Sequence, residues 1–241
     1  MFLYFTKQKS EQKGNIDENM AKISDHNSKL EEDIGKLEMS TKIDLSNRVL
    51  TDQDMNIVVQ GTIILKQCPS LWLYDNFITS QGVRILADSL RNNNTLQELF
   101  LDGNQISDIG VDSLSLILNH SGLQSLSLSE NGITDQGAEY LAEALKNNRT
   151  LRRLWLYHNQ IGDHGMQSLT SALTHNNTTL EWLDLRCNKL VTNASVDTLI
   201  LMIESNQSLK KFWMEYCSLS YECKAKLRQL AKSKANFELG A

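Results

Sequence analysis

The most regular feature of the chain is a repeated pattern of leucines that ends in an asparagine. The pattern reads Leu-x-x-Leu-x-Leu-x-x-Asn-x-Ile followed by a glycine, and its asparagines are spaced 28, 27, 28 and 29 residues apart. These asparagines are Asn76, Asn104, Asn131, Asn159 and Asn188. A period of roughly 20 to 50 residues indicates one structural unit that stacks on itself and buries its apolar side against its neighbours. The sequence therefore predicts a repeat solenoid.

The fourth copy shows the predicted unit most clearly. Leu154 and Leu156 alternate with polar or aromatic residues, which predicts a short strand with its leucines facing inward. Gly165 then precedes Leu169 and Leu173, whose spacing of four residues is typical of the buried stripe of a helix. Each copy is therefore predicted to form a strand, a turn, a helix and a loop.

The asparagine follows the strand at the point where the chain turns. Its amide offers two N–H donors and one carbonyl acceptor, so a buried asparagine can bond the backbone of its own turn and of the adjacent one. Stacked copies would form a ladder of such amides. Strands and helices that alternate at this period predict an α/β fold, a right-handed horseshoe solenoid with parallel strands on the concave face and helices on the convex face.

These repeats resemble leucine-rich repeats of the ribonuclease-inhibitor type, which also occur at the C-terminal end of NOD-like receptors. The copies that match the pattern well are Leu71–Leu90, Leu99–Leu118, Leu126–Leu145, Leu154–Leu173 and Leu183–Ile203. Degenerate copies extend the match to about seven repeats over residues 41–231. Residues 1–40 then form an N-terminal segment, and residues 232–241 a C-terminal tail.

The end copies depart from the pattern at identifiable positions. At the front, Asp54 or Met55 stands where the glycine belongs. At the back, Cys217 replaces the asparagine and Cys223 replaces the glycine. Degenerate end copies suit a solenoid, because its outermost units must close the core against water.

The N-terminal segment carries a different period. Apolar residues recur every seven positions, and a second series follows four residues after the first three: Ile16, Ile23, Leu30 and Leu37, with Met20, Asn27 and Ile34. Three interpretations stay open. The segment is a helix that caps the first repeat, or a coiled coil that forms a homodimer through residues 16–37 with Asn27 setting its register. The third interpretation is a largely disordered tail, because a short helix that contains Gly35 is only marginally stable in isolation.

Composition agrees with a cytoplasmic domain. The 241 residues carry a net charge of −5 and are 41% hydrophobic, which is enough for one continuous core. The apolar run at the N-terminus is too short for a signal peptide or a membrane span, so no membrane association is expected. The four cysteines have no paired or metal-type spacing, which fits a reducing compartment. Asn-x-Ser/Thr triplets, such as those at Asn148 and Asn177, are interpreted as parts of a recurring loop.

Function is expected on the concave face, where each strand offers three outward positions. All four tryptophans of the chain fall at these positions, and large aromatic residues are enriched at binding hot spots. The predicted partner-binding residues are Trp72, Tyr74, Phe100, Asp102, Arg153, Trp155, Tyr157, Trp182, Arg186 and Trp213. The alternative is that these rings suit a strand and cover one another.

The same face has two further patterns. Acidic residues belong to the N-terminal strands and basic ones to the C-terminal strands, so a partner of opposite polarity would be oriented along the arc. The acidic set is Asp75, Glu98, Asp102 and Glu130; the basic set is Arg152, Arg153, Arg186, Lys210 and Lys211. Between them, Ser125, Ser127 and Ser129 predict a shallow gap that a partner side chain could fill.

One column of residues invites an enzymatic interpretation. Glu130, His158 and Cys187 precede the ladder asparagine in successive repeats and would present a carboxylate, an imidazole and a thiol. Nucleophilic catalysis also requires an oxyanion site and a pocket, and no glycine-rich or helix-capped element supplies them at that edge. We therefore predict no catalytic residue, no metal site and no cofactor.

Other functional classes are weighed by what their chemistry requires. The sequence has no glycine-rich phosphate loop, so no nucleotide-binding switch domain is expected. Its acidic balance argues against nucleic acid as a partner. The most direct interpretation is a non-enzymatic protein–protein interaction module that binds a protein or peptide on its concave aromatic face. The alternatives are a scaffold that oligomerises through the heptad segment, or a regulator of a small GTPase, since GTPase-activating proteins also use this fold.

Overall fold

The computed structural model of the protein describes residues 26–241. Within them, eight strands form one parallel sheet in chain order, β1 to β8. Their bounds are Ile43–Asp44, Ser70–Trp72, Glu98–Phe100, Ser125–Ser127, Arg153–Trp155, Trp182–Asp184, Lys211–Trp213 and Glu238–Gly240. The register keeps equivalent positions of successive repeats side by side, as Leu126 pairs with Leu154 and Leu154 with Leu183.

A helix follows nearly every strand, and consecutive helices contact one another as consecutive strands do. Helix α1 covers residues 26–35. Helices α2 to α8 are Met55–Val58, Ser80–Leu90, Ser107–Ser115, Asp135–Asn147, Asp163–His175, Val196–Ser205 and Tyr221–Lys232. Helix α2 continues in wider, π-helical turns over Val59–Leu65, and short 3-10 segments lie at Asp52–Asp54, Leu118–His120 and Asn193–Ser195. The α/β solenoid of parallel strands and alternating helices predicted from the repeat pattern is confirmed.

The core lies between the sheet and the helices. The inward strand residues Leu154 and Leu156 and the helix residue Leu169 are fully buried. Equivalent leucines are buried in every complete repeat, and each contributes roughly 1.5–3 kcal/mol by leaving water. The repeated leucines therefore form one continuous core.

The predicted asparagine ladder is present. The Nδ2 of Asn159 donates to the carbonyl oxygens of Leu156, at 3.1 Å, and of Leu128 in the preceding repeat, at 3.0 Å. Its Oδ1 accepts from the backbone N–H groups of Asn131 and Ile133, both at 3.0 Å. One buried amide thus satisfies backbone groups of two repeats, which the strands alone leave without partners.

In three repeats the glycine lies against a carboxylate of the preceding repeat that the sequence pattern did not reveal: Gly82 against Asp52, Gly137 against Asp108 and Gly165 against Asp135. The Oδ1 of Asp135, at the start of α5, accepts from the N–H groups of Gly162 (2.6 Å) and Gly165 (2.9 Å) in the next repeat. A Cβ atom on Gly165 would lie 2.7 Å from that oxygen. Asp108 makes the equivalent bonds to the N–H groups of Thr134 and Gly137. The glycine is therefore required for the close approach of the capping carboxylate.

A second column of asparagines explains the Asn-x-Ser/Thr triplets. The side chains of Asn148, Asn177 and Asn206 are buried before β5, β6 and β7. The Nδ2 of Asn177 donates to the carbonyl oxygen of Leu145, at 2.8 Å. These amides hold the loops of adjacent repeats together, so the triplets lie in a recurring loop with a structural role.

The described part of the heptad segment packs on the first repeat. Leu30 and Ile34 of α1 are buried in the main core, and Leu37 is partly buried against it. The Nζ of Lys66 donates to the carbonyl oxygens of Gly35, at 2.9 Å, and Leu37, at 2.5 Å. These contacts match the cap interpretation for this stretch. The heptad residues Ile16, Met20 and Ile23 lie outside the described residues.

Part of the predicted C-terminal tail lies in the sheet. Glu238–Gly240 forms β8, which pairs in parallel with β7. The structure corrects the sequence prediction here, since these residues satisfy the backbone groups along the edge of β7. None of the helices within residues 26–241 is long and apolar enough to cross a membrane.

Candidate functional site

The predicted binding residues lie on the outward side of the strands. Trp72, Phe100, Trp155 and Trp213 occupy the middle outward position of β2, β3, β5 and β7, and each is half-buried. Because successive strand residues point to opposite faces, the buried leucines beside them fix this orientation. The sequence therefore places the rings on a single surface of the sheet.

The rings form a continuous chain across this surface, which we call the aromatic ribbon: Trp72, Phe100, Trp155, Trp182 and Trp213. The centroid separations along it are 5.3, 5.8, 5.5 and 4.8 Å. Tyr74 joins at one end, 5.7 Å from Trp72. All of these separations are typical of favourable tilted or edge-to-face pairs. The rings do cover one another, as the alternative interpretation expects, yet each keeps part of its surface in solvent.

The serines of β4, over which a shallow gap is expected, are themselves almost fully buried. Ser125, Ser127 and Ser129 are 0%, 3% and 6% exposed. Phe100 and Trp155 flank this strand, and strands two apart lie roughly 9.6 Å from each other. Their ring centroids nevertheless approach to 5.8 Å, so the two rings converge over Ser127. Small residues on β4 thus allow the ribbon to be continuous.

The charged residue Arg153 also crosses the serine strand. Its Nε donates to the Oγ of Ser125, at 2.8 Å, and its Nη2 to the Oε1 of Glu98 on β3, at 2.9 Å. The hydroxyl of Ser127 donates to the carboxylate of Asp102. These bonds tie the acidic half of the face to the basic half within the molecule.

Arg186 contacts one carboxylate and two aromatic rings. It forms two-pronged hydrogen bonds with Asp184, whose side chain is 1% exposed, at 2.6 to 3.1 Å. Its guanidinium carbon lies 4.5 Å from the ring centroid of Trp213 and 5.6 Å from that of Tyr157. The hydrogen bonds that Arg186 donates to Asp184 raise the pKa of Arg186. A carboxylate and two rings together therefore hold one guanidinium.

The acidic and basic residues of the concave face differ in how many of them form ion pairs. The pairs are Arg152 and Lys210 with Glu181, Arg153 with Glu98, Arg186 with Asp184, and Lys211 with Glu238. The hydrogen bonds from Lys210 and Arg152 hold the pKa of Glu181 below its usual range. Within residues 26–241, Asp75 and Asp102 form no ion pair. Every cation of the basic set is thus paired, with Arg152 and Lys210 sharing one carboxylate, whereas Asp75 and Asp102 of the acidic set are not paired within the described part of the chain.

A cleft of about 440 Å³ opens beside the ribbon. Its apolar wall includes Trp72, Tyr74, Phe100, Trp155 and Tyr157, and its polar wall includes Asp75, Asp102, Ser127, Ser129, Glu130, Asp184 and Arg186. Of the predicted site residues, Arg153, Trp182 and Trp213 do not line it. Its size and its mixed lining are those of a site for one or two side chains.

The carboxylate, imidazole and thiol column occupies a strained turn. Glu130, His158 and Cys187 have φ values of 56°, 51° and 61°, the left-handed region. The Nδ1 of His158 lies 3.7 Å from the Oε2 of Glu130, and both side chains are more than half exposed. The neighbouring thiol of Cys187 raises the pKa of Tyr157. Among the described residues, no cluster of three metal-ligating side chains is found.

Two cations outside the predicted partner-binding residues also contact the ribbon, Lys42 and Lys211. The Nζ of Lys42, the residue before β1, lies 3.0 Å from the ring centroid of Trp72. The Nζ of Lys211 lies 4.7 Å from that of Trp182. Each of these lysines belongs to the repeat next to that of the tryptophan it contacts. An alignment of the repeats therefore contains the signal that could have revealed these contacts.

The chain is similar in sequence to known proteins that contain leucine-rich repeats. The leucine rich repeat family model matches residues 92–115, 121–142, 147–169 and 176–199. NACHT, LRR and PYD domains-containing protein 3 of Bos taurus is 32% identical over 173 residues, which cover 70% of this chain and 17% of that protein. Ribonuclease inhibitor of Mus musculus is 31% identical over 175 residues, which cover 70% of this chain and 38% of that protein.

A solved structure of leiomodin-1 actin-binding site 2 matches with a TM-score of 0.42 and 26% identity, and covers 44% of this chain and 62% of that one. The chain spans 17% and 38% of the length of the two relatives above. Both relatives and the matched model share the repeat described here. The chain is therefore a leucine-rich-repeat protein, with repeats similar to those of NACHT, LRR and PYD proteins and of ribonuclease inhibitor.

Proposed function

We propose that the chain is a non-enzymatic module that binds a protein or peptide segment on its concave face, through the aromatic ribbon and the cleft beside it. Leucine-rich-repeat domains generally mediate protein–protein interaction. The observation that carries the proposal is the continuous contact of five large rings, four of them tryptophans, on one half-exposed surface. A cytoplasmic location is proposed with it, because the four cysteines are unpaired.

The mechanism would be rigid display. The rings are held by one another and by the strands, so little side-chain entropy remains to be lost when a partner covers them. Trp72, Phe100 and Trp155 would be the buried anchors beside the cleft. Asp102 and Arg186 would give the partner its direction.

The test is affinity capture from native lysate with two triple variants. In the first, Trp72, Trp155 and Trp213 become alanine. In the matched control, three aromatic residues that lie off the ribbon and are 52–81% exposed become alanine: Phe77, Tyr216 and Tyr221. We expect the first variant to lose a specific partner and the control to keep it.

Both variants must first show the wild-type circular dichroism spectrum and a cooperative urea transition. A folded first variant that still captures the wild-type partner would refute the proposal. Binding carried by the rings also predicts a blue shift of the tryptophan emission when the purified partner is added, since the partner would take these indoles out of water.

A further inference from the structure

The basic half of the concave face shows how this surface holds a guanidinium. Arg186 is bound by the carboxylate of Asp184 on its own strand and lies over rings from the strands on either side, Tyr157 and Trp213. The protein thus supplies its own cation where a carboxylate and aromatic faces meet. Such a combination favours a cation by ion pairing and by the ring quadrupole together.

The acidic half of the cleft has the same two components without the cation. Asp75, Asp102 and Glu130 line it together with the rings of Tyr74 and Phe100. Within residues 26–241, neither aspartate forms an ion pair, and the Oε2 of Glu130 lies 3.7 Å from the Nδ1 of His158. That contact is an ion pair only when the imidazole is protonated.

Lys42 does not supply the missing cation of the acidic half. Lys42 lies over the ring of Trp72, but it forms no ion pair with a carboxylate of the described residues. Arg153, the other cation of the central strands, is already paired with Glu98. The acidic half of the cleft therefore keeps an uncompensated negative charge beside exposed rings.

The backbone makes room at this point. Asp75, Gly103 and Glu130 occupy the same left-handed turn position in successive repeats, with φ values of 54°, 64° and 56°. Gly103 has no side chain, and the carboxylate of Asp75 leans over it, close to where a Cβ would stand. Gly103 therefore makes room for the carboxylate of Asp75, which lines the cleft.

We propose that this half of the cleft takes an arginine side chain of the partner protein or peptide, held by Asp75, Asp102 and Glu130 and stacked on the ribbon. The inference deepens the proposed function and rests on it. Arginine is preferred to lysine because its planar guanidinium can stack on a ring while it pairs with carboxylate oxygens, as Arg186 does. Its charge would complement the acidic half, and the far end of the cleft is occupied by Arg186, already matched by Asp184.

The test uses three peptides, acetyl-Gly-Gly-X-Gly-Gly-amide, with X as arginine, its neutral isostere citrulline, or glutamate. The readout is the set of four tryptophan indole N–H signals in the NMR spectrum of the ¹⁵N-labelled protein, since the chain has four tryptophans. Trp72 and Trp155 line the cleft, whereas Trp182 and Trp213 do not and serve as internal references.

We expect the arginine peptide to shift the indole signals of Trp72 and Trp155 saturably, with a Kd in the millimolar range of about 1–10 mM. Citrulline should bind at least about fivefold more weakly, and glutamate should not saturate. The variant Asp102→Asn with Glu130→Gln should weaken arginine binding about fivefold, because it removes two charges and preserves the hydrogen-bonding shape. Glu139→Gln, an exposed change on α5, should leave it unchanged.

Equal binding of arginine and citrulline would overturn the inference, as would the absence of any shift at about 20 mM peptide, where such a site would be more than half filled. Neither outcome bears on the capture experiment, in which loss of the partner depends on the rings and not on the carboxylates. Arginine binding together with undiminished capture by the tryptophan variant would instead support the subsite and refute the proposed function.

Discussion

Removal of one ladder amide measures how much the turns depend on it. Asn159→Ala deletes a side chain that donates to the carbonyl oxygens of Leu128 and Leu156 and accepts from the N–H groups of Asn131 and Ile133. The carbonyl of Leu156 also accepts from the next ladder residue, Asn188, so it keeps a partner. The carbonyl of Leu128 and the two N–H groups lose theirs.

The magnitude follows from these three buried backbone groups. Each unsatisfied group costs about 1–3 kcal/mol, so a value near the lower end for each gives a loss of about 3–5 kcal/mol in the free energy of unfolding. That is a large share of the roughly 5–15 kcal/mol that holds a typical domain together. Urea unfolding followed by both tryptophan fluorescence and far-ultraviolet circular dichroism measures the loss, and coincident transitions show that unfolding stays cooperative.

The matched control is Cys217→Ala, which changes the ladder position of the last complete repeat. The thiol of Cys217 makes one long bond, 3.5 Å, to the carbonyl oxygen of Leu185. The turn beside it does not need an amide acceptor, because the N–H of Val191 donates to the carbonyl oxygen of Asn188, at 3.2 Å. We expect a loss of about 1 kcal/mol here. If Asn159→Ala cost no more than Cys217→Ala, the ladder would not stabilise the turns as described.

Three further predictions test the ends and the buried groups. Ile34→Ala should lower the free energy of unfolding by about 2–4 kcal/mol in urea titrations, independently of protein concentration, because α1 packs on its own first repeat; a loss that grows on dilution would favour the coiled-coil dimer. Burial acts to raise the pKa of Asp163, but hydrogen bonds from Ser195 and Thr192 outweigh it and hold the pKa below its ordinary value. Its contribution to stability is therefore present above the ordinary carboxyl pKa and is lost as the pH falls through the folded-state value, so Asp163→Asn should flatten the acid limb of a stability–pH curve below about pH 4, and an unchanged limb would contradict this. Burial raises the pKa of the Cys68 and Cys217 thiols to about 11, so a thiol reagent at pH 8 should label the other two cysteines first, and rapid labelling of all four in the native protein would count against the packing described.

The sequence places the residues of the site on the concave face, but it does not show which charged residues pair with one another. Alternation along each strand places the tryptophans outward whatever the rest of the molecule does, because the leucines beside them must be buried. The pairing of Arg153 with Glu98 joins residues 55 positions apart on strands that are not neighbours. No local pattern signals such a contact, since it depends on the small serines of the strand between them.

The sequence by itself determined the repeat, the sides of each strand and the asparagine ladder, because these follow from a local period and from what each residue type can bury or bond. Only the tertiary structure decided which charges remain free, how rings two strands apart meet over Ser127, and why Gly165 must lack a side chain beside Asp135. It also placed Glu238–Gly240 in the sheet, where the edge of β7 offers it partners. These outcomes depend on the distances between adjacent repeats, which stacking sets and no single repeat contains.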